Sequence, residues 1–140
     1  MSRVGFTTSI PVEILLAAGK RPVDLNNEFI SRSDAAVLIR RAEASGFPAT
    51  CCAWIKGIYG VLCTGDVREV VGVVRGDCSQ TQGLLEVLQL EGYRIFPFAY
   101  PYDRSRRAME HEIRKMQEHF GVEPAAVWQV KADLDRILVS

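Results

Sequence analysis

The segment Val70–Val71–Gly72–Val73–Val74 constrains this chain more than any other. It is uncharged and almost wholly β-branched, so it extends as a strand rather than coiling as a helix. Apolar residues occupy both its odd and its even positions, which leaves neither face for water. Such a strand belongs inside a parallel sheet covered by helices on both sides. Around it the chain alternates. Strands are predicted at Arg3–Thr8, Pro22–Leu25 and Tyr93–Ala99. Helices are predicted at Val12–Ala18, Asp34–Ser45, Ala53–Cys63, Gln80–Leu90, Asp103–Phe120 and Pro124–Leu138. Gly19, Gly46, Gly92 and Gly121 sit where helices should stop, and Ser33 is placed to cap the second helix. Gly57 and Gly60 weaken the helix at 53–63, since each costs about 1 kcal/mol against Ala. Asn26–Asn27–Glu28 reads as a polar loop. This order predicts a three-layer α/β fold with an open four-stranded parallel sheet, Val70–Val74 at its centre, in one domain over residues 1–140.

Composition removes several classes of function. Seventeen basic residues balance seventeen acidic ones, so bulk charge offers no footprint for nucleic acid. No apolar run reaches the roughly 18 residues that a membrane helix needs. Met1–Gly5 lacks the basic-then-apolar plan of a signal peptide, which makes the cytoplasm the expected compartment. There Cys51, Cys52, Cys63 and Cys78 should be free thiols that serve packing, metal binding or reactivity.

In an open α/β sheet, ligands bind beyond the carboxyl ends of the strands. The loops there are Thr7–Pro11, Asn26–Glu28 and Gly76–Gln80. Thr7, Thr8 and Ser9, with Asn26 and Asn27, should line the mouth of a site. Cys78 stands just before a helix, where the positive end of the helix dipole favours a thiolate, the form that reacts or binds metal. The same reasoning covers Cys51 and Cys52, although adjacent side chains do not easily point at one centre. Cys63, about three turns further along its helix, reads as a small core residue. His111 and His119 share a helix at a spacing of eight, which is not that of a zinc-binding pair, and no glycine-rich phosphate loop occurs. Arg104, Arg106 and Arg107 read as a solvated basic patch, with an anion such as a coenzyme A phosphate as the functional alternative.

Three stretches carry a resemblance: VGFTTSIPVEILLAAGKRPVDLNN, CCAWIKGIYG and GVVRGDCSQTQGLLEVL. In this order they resemble the N-terminal domain of the 2-hydroxyacyl-CoA dehydratase and benzoyl-CoA reductase family. That family has a cysteine followed by an aromatic and a basic residue, which matches Cys52, and a strand ending in a second cysteine at a helix start, which matches Cys78. The resemblance implies flavodoxin-like or Rossmann-like domains, two per subunit. It also implies a 4Fe–4S cluster held by three cysteines at the domain interface. An ATP-hydrolysing activator protein delivers the electron, and water is removed from a 2-hydroxyacyl-CoA by a ketyl-radical route.

By this resemblance Cys52 and Cys78 are cluster ligands; Cys51 or Cys63 could add a third only with a local geometry that differs from the family's. The family's third cysteine comes from a second domain, expected after Ser140. The surface such a domain covers predicts a homo-oligomer or a partner subunit, and this chain alone is not expected to be an active lyase. Two other readings stay open. One is a non-catalytic binding or regulatory module that has lost the cluster. The other is a thiol redox protein using Cys51 or Cys52 with Cys78.

Overall fold

A computed structural model describes residues 1–139. Four strands form one parallel sheet: β1 (Arg3–Phe6), β2 (Arg21–Asp24), β3 (Glu69–Arg75) and β4 (Arg94–Ala99), in the order β2-β1-β3-β4. The Val70–Val74 segment lies in β3, between β1 and β4 and parallel to both. β4 has a neighbour on one side only, so Pro97, which cannot donate to a ladder, is accommodated there.

Each face of β3 enters a different core. Val70 packs with residues of α2 (Leu25–Ile30), α3 (Ala35–Ala44), α4 (Ala53–Thr64) and α5 (Ser79–Leu90). Val71 and Val73 pack on the other side with α1 (Val12–Ala17) and α6 (Arg106–Phe120), against which α7 (Pro124–Val139) also rests. This is the expected three-layer arrangement. No described helix is long and apolar enough to cross a membrane.

Three local expectations are corrected. Asn26–Asn27–Glu28 is not a loop but part of α2, because the Asp24 carboxylate accepts the N–H groups of Asn26 and Asn27 and so caps the first turn. Asp34, not Ser33, is the N-cap residue of α3, and its carboxylate pairs with Arg32 rather than with the backbone. α6 begins at Arg106 instead of Asp103, after Arg104 takes the left-handed conformation at φ 55°, and Ser105 caps it.

Gly57 and Gly60 serve packing inside α4. A Cβ on Gly57 would come within 2.2 Å of the Phe29 ring, and one on Gly60 within 2.6 Å of the Leu38 carbonyl oxygen. The helix gives up intrinsic propensity so that α2 and α3 can lie close against it.

Candidate functional site

The strand order dictates where a crevice forms. After β1 the chain moves to one side for β2, then crosses to the other side of β1 for β3. The loops leaving β1 and β3 therefore part in opposite directions, and the gap between their carboxyl ends is the place where such sheets bind ligands. A pocket of about 300 Å³ lies there, lined by Thr7 and Thr8 after β1 and by Asp77, Cys78 and Thr81 after β3. Asn26 of α2, Cys52 at the start of α4, and Trp54, Ile55 and Ile58 within it complete the wall.

The two cysteines reach this pocket by the same device. Cys52 is the N-cap residue of α4 and Cys78 that of α5, and neither side chain makes a capping bond. Both are exposed free thiols. The Cys78 sulfur lies 3.6 Å from the Thr81 hydroxyl, and its N–H donates to the Asp77 carboxylate. Two twelve-residue helices thus begin at the pocket, and their free N–H groups place positive potential where anionic sulfur ligands would gather.

The rim is tied together by hydrogen bonds. The Asn26 amide donates to the Thr7 carbonyl at 2.8 Å and accepts from the Trp54 indole. The Trp54 ring meets Phe29 edge to face at 5.3 Å. The buried Thr7 hydroxyl accepts the Val73 N–H at 3.2 Å, which satisfies a β3 donor beyond the last paired residues of β1 and β3.

The remaining candidates fall elsewhere. Ser9 and Asn27 are exposed and do not line this pocket, and the Ser9 carbonyl accepts the Tyr100 hydroxyl instead. Cys51 is half-buried in a neighbouring cleft with Phe47, Pro48, Leu84 and Val87. Cys63 lies near the far end of α4, packed against the core. Among the described residues no three His, Cys, Asp or Glu side chains gather to hold a metal ion.

As donors, Cys52 and Cys78 suit an iron–sulfur group, because protein thiolates are the usual ligands of its irons. They would account for two of its ligands.

Two contributions to the site were not read from the sequence, the first being what Lys56, the basic residue of the CCAWIK stretch, holds. Lys56 is 4% exposed in an otherwise apolar stretch of α4, and its ammonium bonds Glu43 at 2.8 Å and the Ala49 carbonyl at 3.1 Å. It thereby anchors the loop that leads to Cys51 and Cys52. A lone lysine in that apolar run was the available signal. Gln80 accepts the Cys52 N–H at 2.8 Å across 28 residues of sequence, and nothing local announces it.

The family model for the 2-hydroxyglutaryl-CoA dehydratase D-component matches residues 7–125, which include both β1 and β3 loops and both pocket cysteines. The chain belongs to this family. No curated protein matches it.

Proposed function

We propose that this chain supplies Cys52 and Cys78 as two thiolate ligands of a 4Fe–4S cluster in a 2-hydroxyacyl-CoA dehydratase-like assembly. The observation that supports this most is the shared pocket at the β1/β3 switch point, walled by two cysteines that cap different helices and spend no sulfur on capping. Membership of the dehydratase family supports the substrate class. When bound, such a cluster supplies one-electron chemistry to an acyl-CoA. This chain's own share is to hold two ligands, to present Thr7, Thr8 and Asn26 at the mouth, and to offer two helix N-termini to the cluster's negative charge.

The third ligand then comes from a second domain, a second copy of the chain or a partner subunit. An ATP-hydrolysing activator protein provides the electron, and the cytoplasm keeps the thiols reduced. The test is anaerobic reconstitution with iron and sulfide, alone and with candidate partners. Bound iron and charge-transfer absorption should appear with the wild type and with Cys63→Ser, and should be lost in Cys52→Ser and in Cys78→Ser. Retention of the cluster in Cys78→Ser overturns the assignment.

A further inference from the structure

We propose that Gln80 is a positioning residue that assigns Cys52, rather than Cys51, to the pocket beside Cys78. The two adjacent thiols line different hollows, Cys51 the cleft with Phe47 and Leu84 and Cys52 the pocket with Cys78. Something must fix which thiol takes which hollow. The Gln80 side-chain oxygen accepts both the Cys52 N–H at 2.8 Å and the Cys51 S–H at 3.3 Å. The Cys51 N–H is already held by the Pro48 carbonyl at 3.0 Å. One acceptor thus holds the Cys51 side chain in its own cleft and sets the backbone of the next residue, whose exposed side chain walls the pocket.

The position of Gln80 matters as much as its bonds. It stands in the first turn of α5, two residues after Cys78. The clamp therefore joins the two segments that carry the pocket sulfurs, and it sets their separation as well as their identity. Removing the oxygen frees the Cys51 S–H and leaves the 51–52 segment held by Lys56 and Pro48 alone. The role of the clamp in cluster binding rests on the two-cysteine reading, but its effect on the two thiols does not.

The experiment is alkylation of the full chain with iodoacetamide under native, anaerobic conditions, with the rate at each cysteine read by peptide mass spectrometry. In the wild type Cys52 should react faster than Cys51. Gln80→Leu and Gln80→Asn, which remove or withdraw the oxygen, should raise the Cys51 rate relative to Cys52 by about fivefold, the worth of one net hydrogen bond. Gln80→Glu keeps an acceptor at the same reach and should not raise the ratio above the wild-type value. Cys63 labelling reports folding and should not move, and the melting temperature should fall by no more than a few degrees, roughly what the loss of one net hydrogen bond gives. A Cys51:Cys52 ratio that stays at the wild-type value in both Gln80→Leu and Gln80→Asn overturns the proposal. Failure of the wild type to bind iron in reconstitution overturns the cluster reading instead, and leaves this ratio to decide on Gln80.

Discussion

Asn26 and Trp54 are joined by a hydrogen bond from the indole N–H to the side-chain oxygen, and the same asparagine amide donates to the Thr7 carbonyl. One side chain therefore connects the loop after β1, the start of α2 and the first turn of α4. Asn26→Leu keeps the approximate volume but strands the Thr7 carbonyl, while the exposed indole N–H of Trp54 turns to water. The expected loss is about 1 kcal/mol of unfolding free energy, the cost of leaving one part-buried carbonyl unpaired, with a shift of Trp54 fluorescence. Chemical denaturation at unchanged slope checks it.

The pair Lys56–Glu43 is lopsided, with side-chain exposures of 5% and 37%. Deleting the carboxylate in Glu43→Ala leaves the buried ammonium with only the Ala49 carbonyl. Lys56→Met removes the charge and keeps the stem. Glu43→Ala should therefore cost more stability than Lys56→Met, about 1–3 kcal/mol after allowance for the exposed partner. Equal losses in the two variants would show that the loop does not depend on this pair.

Glycines in helices separate packing from propensity. Gly60→Ala inserts a methyl 2.6 Å from a backbone oxygen and should destabilise by about 1–3 kcal/mol, although alanine is the better helix former. Gly83 of α5 has nothing within 4 Å of the same position, so Gly83→Ala should stabilise by up to about 1 kcal/mol. Opposite signs in thermal unfolding are the expected result.

Alkaline stability follows from tyrosines. Burial raises the phenol of Tyr59 well above its usual value, with the bond to Glu91 adding to the rise. Burial also raises Tyr93 and Tyr100. Their phenols ionise near pH ~10 in the unfolded chain and later in the folded one, so the unfolded state loses protons first. Stability should hold below that pH and fall as pH rises above it. Tyr59→Phe should make the fall shallower, as measured by denaturation between neutral and alkaline pH.

The architecture was legible because the β3 valines and the glycine stops each report a local property that the whole fold respects. What was missed depends on contacts between distant residues. α2 buries only Leu25 and Phe29, too few for a visible period, and its capping aspartate was assigned to a strand. Gly57 and Gly60 looked like faults in a helix because their partners, Phe29 and Leu38, are known only from the packing. Of the candidate site, Thr7, Thr8, Asn26, Cys52 and Cys78 converge on one pocket. The sequence offered their loops but not the switch point between β1 and β3 that selects among them. Gln80 was out of reach, since the groups it holds lie 28 and 29 residues away.

The central claim is that the Cys52 and Cys78 sulfurs serve one centre, and it can be measured without assembling a cluster. In a Cys51→Ser, Cys63→Ser chain only these two thiols remain. Anaerobic titration with cadmium should then give thiolate-to-metal charge-transfer absorption that saturates at one ion per chain, and this should vanish when either remaining cysteine is changed to serine. Saturation at one ion per two chains, or full absorption surviving in the further Cys78→Ser variant, would contradict a two-cysteine site within this chain.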